Sequence, residues 1–441
     1  MSPSRDRRST LAELAADPRL ALMLALGFSA GLPFLLVFGT LSAWLRQEGV
    51  ARAEIGMLSW VGLAYSFKFV WSPLIDRVDI PWLAPRLGRR RAWMLAAQVG
   101  VAIGLCAIAF SDPRDLLLAT VAGALLVAFA SATQDVVVDA WRIDAAPTSR
   151  QGVMAAVYQL GYRLALICSG AGALYIADFI DWRTAYLAMA ALMALGMVTT
   201  LLVPRTDPAP ARPDGDKLFS FVDAVIEPFL DLWRRKRWIV VPILGLIVLY
   251  RVPDFVAGVM ANPLYIDLKF TLSEIASVSK IYGVWIGMLG AFAGGIAVTR
   301  IGLMPCVLFG GIVGAASNLM FAWLASEGHS IELLTLAISI DNFSAGFAGT
   351  ALIAYMSGLT AATVVATQYA LLSSLYALPG KFVGGTSGFI VEAYGYPTFF
   401  TMTAAVGIPI AILSLLLWRL DPIGDDKAED EAPVAAKPSP R

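Results

Sequence analysis

Apolar residues in this chain come in long blocks, each near the roughly 20 residues that carry a helix across a bilayer. Twelve such blocks lie near 19–45, 54–78, 91–110, 115–141, 151–177, 184–204, 237–263, 272–298, 303–325, 332–358, 366–391 and 397–418. None has the ten-residue alternating pattern of a membrane β-barrel strand. The pattern predicts an all-α membrane protein with twelve transmembrane helices in two six-helix bundles. Full charges interrupt some blocks and spare others. Lys68, Asp135, Arg163, Arg251, Asp254, Lys280, Asp341 and Lys381 all fall inside apolar stretches, whereas the third block of each group of three carries none in its middle. An ionised side chain in hydrocarbon is costly, so such residues face a partner or a watery interior. The charged blocks should therefore line a polar pathway and the uncharged ones should face lipid.

The two halves echo each other. Lys68 in block 2 matches Lys280 in block 8, Gln134-Asp135 in block 4 matches Asp341-Asn342 in block 10, and Arg163 in block 5 matches Lys381 in block 11. Internal repeats with sites near the midplane mark secondary transporters. At about 1.5 Å rise per residue, Lys68, Arg163, Arg251 and Lys381 lie roughly 18–22 Å into their helices, near mid-membrane. Lys280 and Asp341 lie closer to one face, and Asp135 closer to the other, with Asp139 one turn further along the same helix side. Breaks or hinges are expected at Gly31-Leu32-Pro33, at Pro253, at Pro379-Gly380 and along the glycine series of block 8, from Gly283 to Gly295.

Residues 205–236 break the pattern with four prolines, Gly215 and a cationic run Arg234–Arg237. They divide the chain into an N-terminal bundle (1–204, with a short basic lead), a linker (205–236) and a C-terminal bundle (237–420). The linker stretch Leu218–Trp233 is amphipathic enough to lie on the membrane surface. The acid- and proline-rich tail, 421–441, is expected to be disordered and cytoplasmic.

Composition supports a membrane class. Of 441 residues, 58% are hydrophobic and 15% charged, against about 25% charged in soluble domains. Net charge is zero, so no basic field for nucleic acid exists, and distribution matters more than total. Five basic residues fall in connections on one side (Arg46, Arg52, Arg114, Arg183, Lys269), five lie within blocks, and the rest of the 33 cluster on the other side with both termini. Positive residues stay cytoplasmic, which places both termini inside a cytoplasmic membrane. Cys106, Cys168 and Cys306 occupy separate blocks, with no metal or disulfide spacing. His329 reads as a solvated loop residue. No cofactor is implied, and the chain is expected to act as a monomer.

Trp71-Ser-Pro-Leu-Ile-Asp76-Arg77 followed by Leu87-Gly88-Arg89-Arg90-Arg91 resembles the cytoplasmic loop motif of the major facilitator superfamily, though a longer insert with Pro81 and Pro85 separates its parts. The resemblance implies a gating role for Asp76, Arg77, Arg89 and Arg90; simple positive-inside charge is the competing account. Narrower strings are similar to the AmpG-type muropeptide permeases. They are Gly27-Phe-Ser-Ala-Gly31-Leu-Pro33, Tyr65-Ser-Phe-Lys68, Ser131-Ala-Thr-Gln134-Asp135-Val-Val-Val-Asp139-Ala-Trp141, Leu160-Gly-Tyr162-Arg163, Thr367-Gln368-Tyr-Ala-Leu-Leu-Ser373 and Val391-Glu392-Ala. Together they cover roughly residues 19–420. Lys381 and Arg251 stand where the family is expected to carry Arg and Lys, a change that matters for bidentate contacts.

That resemblance implies proton-coupled import of anhydro-muropeptides, anionic sugar-peptide fragments of the cell wall, from periplasm to cytoplasm across a bacterial inner membrane. The residues fit such a cargo. Lys68, Arg163, Arg251, Lys280 and Lys381 can pair carboxylates, and Gln134, Asn342 and Gln368 can exchange hydrogen bonds with amides and hydroxyls. Tyr65 and Tyr162, with Trp44, Tyr250, Tyr282 and Trp285, offer faces for sugar rings. Fixing the bundle by ion pairs, or plain packing, is the competing role for each. Asp135 and Asp139, then Asp254 and Asp341, are the carboxylates able to carry a proton, with Arg163 as the partner expected for Asp135. Another anionic conjugate, such as a peptide or a nucleotide-linked acyl group, remains an alternative cargo. An enzyme would need a nucleophile–base or metal constellation, and ATP-driven transport a Walker loop; neither appears. A sensor would usually add a soluble output domain, and the sequence shows none.

Overall fold

The computed structural model describes residues 18–145, 151–206, 230, 232–359 and 365–420. The surface helix expected over Leu218–Trp233 and the tail after residue 420 lie outside the described residues, apart from Leu230, Leu232 and Trp233. Every regular element among the described residues is helical. The first half contains α1 (Pro18–Leu36), α2 (Gly39–Gln47), α3 (Arg52–Leu58), α4 (Leu63–Phe67), α5 (Ser72–Arg77), α6 (Arg89–Phe110), α7 (Leu117–Ala145), α8 (Gln151–Ile167), α9 (Ala173–Phe179) and α10 (Trp182–Leu202). The second half contains α11 (Val240–Tyr250), α12 (Val252–Asp267), α13 (Gly283–Ile301), α14 (Leu303–Ala316), α15 (Asn318–Glu327), α16 (Ile331–Leu359), α17 (Val365–Gly384), α18 (Ser387–Ala405) and α19 (Gly407–Leu420). Among the described residues, ten helical stretches are long and apolar enough to cross a membrane.

The blocks outside those ten are informative. Block 2 is not one continuous helix: 3₁₀ turns at Ser59–Gly62 and Lys68–Val70 cut it into α3, α4 and α5. Block 11 forms the unbroken α17, but its polar residues, Gln368 and Lys381 among them, dilute its apolar content. Breaks elsewhere only partly follow the prolines. Helix α1 runs through Pro33 and ends at Leu36, so the interruption comes one turn later than Gly31-Leu32-Pro33. Pro379 likewise sits inside α17. Pro253 instead occupies the first turn of α12, where its missing N–H costs nothing, and the break falls at Arg251. In block 8 the irregularity is a π-helical turn, Ala276–Tyr282.

Glycines set how closely the helices pack. A Cβ on Gly161 of α8 would run into the backbone carbonyl of Leu24, and one on Gly27 of α1 would run into that of Tyr158. The α1/α8 crossing is thus a backbone-to-backbone contact, the geometry that small residues permit in membranes. Gly290 and Gly346 play the same part between α13 and α16.

Buried apolar residues form three clusters, and their placement defines the shape. One cluster is built from both halves: Leu41, Ile55, Trp182 and Tyr186 from the first, Leu264, Tyr265, Phe321 and Phe400 from the second. All lie toward the end away from the chain termini. At the other end two clusters stay separate, Met23, Met94, Trp141 and neighbours in the first half, and Ile243, Val307, Tyr355 and neighbours in the second. The halves are therefore joined at one end and parted at the end that carries Pro18 and Leu420. Polar contacts complete the seal. Asp267 of α12 accepts from Arg46 Nε (2.5 Å), Arg52 Nη2 (2.7 Å) and the Tyr396 hydroxyl (2.7 Å). Glu392 accepts from the backbone N–H of Ala53 at 3.0 Å, and the Tyr175 and Ser277 hydroxyls meet at 2.7 Å.

Candidate functional site

Three of the in-block cations sit where regular helix fails. Lys68 begins a 3₁₀ turn, Arg251 joins α11 to α12, and Lys280 lies in the π turn. Such irregularities free backbone groups and redirect side chains, and they are tolerated at membrane depth only where protein or a polar cavity receives them. Here they surround the cleft between the two halves, just beneath the seal.

A cavity of about 270 Å³ lies there. Phe34, Phe38, Leu58 and Phe255 give it apolar walls, and Asp254 and Lys381 bring charge to it. The Lys381 ammonium donates to Ser66 Oγ (3.1 Å) and the Gly62 carbonyl (3.4 Å) across the interface. Gly39, also on the wall, lets Lys280 approach: a Cβ there would stand 3.6 Å from Lys280 Nζ and 2.8 Å from Asn262 Nδ2.

Several of the other charges are paired. Lys68 Nζ lies 3.9 Å from Asp135 Oδ2, Arg251 Nη1 2.7 Å from Asp254 Oδ2, and Arg142 Nη2 3.6 Å from Asp139 Oδ1. Arg251 also donates to the Ala345 carbonyl at 3.3 Å. Asp341 accepts from Ser317 Oγ at 3.1 Å and has no ion-pair partner among the described residues. Lys280, Lys381 and Arg163 likewise have no carboxylate partner among the described residues. The Oδ1 atom of Asp135 is buried without a hydrogen-bond partner, as are the Tyr65 hydroxyl, Ser131 Oγ and Gln134 Oε1. These orphan oxygens gather on one side of α7 and on α4. Four such atoms in a cluster call for a proton, a water or a cargo group.

The structure reassigns several residues that the sequence brought forward. Arg163 is not the partner of Asp135; Lys68 is. Arg163 lies on α8 in a groove of about 630 Å³ between α8 and α13, beside Gln159, Leu164, Trp285 and Phe292. Gln134 is fully buried and donates to Ser29 Oγ at 2.8 Å, inside the first bundle. Asn342 donates back to the Ile338 carbonyl at 3.1 Å, against Gly283. Tyr65 packs edge-on against Phe34 with centroids 5.8 Å apart, and Tyr162 lies 6.5 Å from the same ring. Trp44 is stacked on Trp182 (5.7 Å) in the core, and Tyr250 is buried with its hydroxyl on the Val307 carbonyl; both are packing residues, unable to reach a sugar. His329 is an exposed loop residue, as expected, and also stacks on Phe270 and lies 3.2 Å from Glu274 Oε2. In the 2–3 connection Arg89 pairs with Asp79 at 2.5 Å, which holds that carboxyl below the usual range. The side chains of Asp76, Arg77 and Gln368 lie outside the described residues. Missed by sequence reasoning were Asp267, Tyr396, Ser66 and Asn262. The signal for the first was available: Arg46 and Arg52 are two of the few basic residues on their side.

The profile of the Major Facilitator Superfamily matches residues 20–384. The chain belongs to the major facilitator superfamily. It is 38% identical over 404 residues, 91% of the chain and 80% of the relative, to a protein of Escherichia coli K12 named anhydromuropeptide permease. It is 32% identical over 409 residues, 92% of the chain and 98% of the relative, to the putative transporter AmpG 4 of Rickettsia felis. The crystal structure of a D-xylose–proton symporter superposes with a TM-score of 0.65 at 14% identity, covering 92% of this chain and 97% of the other. The likeness to AmpG-type permeases seen in the motifs thus extends along nearly the whole chain. As a superfamily member the protein is a multi-pass membrane transporter and not an enzyme, and its all-α fold is that of the superfamily.

Proposed function

We propose that this transporter imports anhydro-muropeptides, coupled to protons, across a bacterial inner membrane, with both termini in the cytoplasm. The observation that carries the reading is the set of cations left without carboxylates at mid-depth. Lys280 and Lys381 flank the cavity and Arg163 lies on the wall of the groove between α8 and α13. Where Arg251, Lys68, Arg46 and Arg52 each have an acid within 4.0 Å, these three await one. An anionic cargo supplies it, through charge-assisted hydrogen bonds worth roughly 1.5–3 kcal/mol each. The apolar cavity walls suit the ring faces of a sugar. The name of the Escherichia coli relative supplies the cargo class.

Proton coupling rests on Asp135. Its Oδ2 is only loosely paired with Lys68 and its Oδ1 has no donor. A proton on Oδ1 supplies the missing hydrogen-bond donor, and Lys68, freed from the acid, turns to cargo. Asp341, lacking a cation, is the second acid of the pathway; Asp254, tied to Arg251, and Asp139, tied to Arg142, follow. The cleft that opens on the termini side is then the inward-facing state. Uptake of labelled anhydro-muropeptide into proteoliposomes tests the whole reading. Accumulation should require an inward pH gradient and collapse with a protonophore. Accumulation of a peptide or nucleotide conjugate in its place would reassign the cargo, and gradient-independent accumulation would remove the proton.

A further inference from the structure

Among the described residues, the ion pairs that cross the seal between the bundles both end on one carboxylate. Asp267, at the end of α12, gathers donors from three other elements: Arg46 of α2, Arg52 of α3 and Tyr396 of α18. Arg52 also donates to the Tyr396 hydroxyl at 3.1 Å, and its guanidinium lies 5.2 Å over that ring. The Asp267 side chain is 18% exposed, so these bonds form partly out of water, where charge-assisted contacts are strong. The charge count is uneven. Two guanidinium groups of the first bundle converge on one acid of the second. The nearby acids are committed elsewhere: Glu48 pairs with Arg114 at 2.6 Å within the first bundle, and Glu392 caps the Ala53 N–H.

We infer that Asp267 is the clasp of the end away from the termini, the residue whose pairing with Arg46 and Arg52 sets how much of the population is closed there. Without its charge the two arginines of the first bundle have no counter-ion across the joint. The attraction that held the bundles together is then lost. Tyr396 adds a bond that senses the rotation of α18 against α3. The remaining polar contacts across this end among the described residues, Glu392 with the Ala53 N–H, Asp178 with the Ser273 N–H, and Tyr175 with Ser277, pair no cation with an acid, so they do not replace the lost ion pairs. The clasp acts on the alternation between states, whatever the cargo.

Electron–electron distance measurements on the full chain in nanodiscs test this without any cargo. Spin labels go on Asp115→Cys and Ser326→Cys, exposed positions at this end of the two bundles, with the three native cysteines replaced by alanine. Asp267→Asn should add a longer-distance population of at least about a tenth of the molecules. Glu48→Gln, which breaks a pair inside one bundle, should leave the distribution as it was. An unchanged distribution in Asp267→Asn, or an equal shift in Glu48→Gln, overturns the assignment. Should Asp267→Asn fail to fold, the double variant Arg52→Gln, Tyr396→Phe decides by the same readout: a longer population supports the clasp, and its absence overturns it.

Discussion

At the scale of single residues, the uncompensated lysines are the point of leverage. Lys381 reaches across the interface to Ser66 and Gly62 and lines the cavity, so its ammonium stands where the proposed function puts the cargo. Lys381→Ala should raise the apparent KM for uptake by about 10- to 100-fold, the equivalent of one charge-assisted contact. Lys381→Arg should restore part of it, since charge survives while geometry changes. Initial-rate uptake over a range of cargo concentrations checks both. Asp135→Asn separates coupling from movement. Gradient-driven accumulation should vanish, while exchange of cargo between two loaded compartments persists. Accumulation at the parent level would exonerate Asp135 and direct attention to Asp341. Which charges lie inside the apolar blocks was plain in the sequence, because a lone ionised residue there stands out. Which of them are paired was not. Arg163 and Lys68 lie at similar depths, and only the rotation of α4 and α8 about their axes decides that Lys68 meets Asp135.

Among elements, the α1/α8 crossing is the most demanding. Gly161 presses on the Leu24 carbonyl, and backbone cannot yield as a side chain does. Gly161→Leu should therefore force the helices apart, at a cost of at least about 1–3 kcal/mol. The purified protein should unfold at a temperature several degrees lower, while Gly258→Ala, at a glycine whose Cβ would meet nothing within 4 Å, should change little. Thermal unfolding followed by intrinsic fluorescence distinguishes them. Hydropathy made the long elements legible, since a 20-residue apolar run has few alternatives in a bilayer. It was blind to block 2, whose 3₁₀ turns leave composition unchanged, and it misjudged Pro33 and Pro379. Neighbouring helices can satisfy the carbonyl that a proline orphans, so the ring alone does not end a membrane helix.

For the whole molecule, the parted and joined ends predict a directional exposure. Ser42 lines the cavity beneath the seal. In the same cysteine-free background, Ser42→Cys should react with a membrane-impermeant maleimide offered from the side of the termini and resist it from the other. Fast labelling from both faces would contradict the sealed end. The two-bundle plan was readable from the repeated charges, but the state of the cleft was not, because one sequence must satisfy both states. The shared apolar cluster at the joined end carries a consequence for leakage. Parting the bundles there exposes Leu41, Ile55, Leu264 and Phe400 toward the pathway, at about 25 cal/mol for each Å² wetted. That loss is recovered only if the opposite mouth shuts and buries surface of its own. A pore open to both sides at once recovers nothing, so oil and water themselves help keep the ion gradient from running down through an empty carrier.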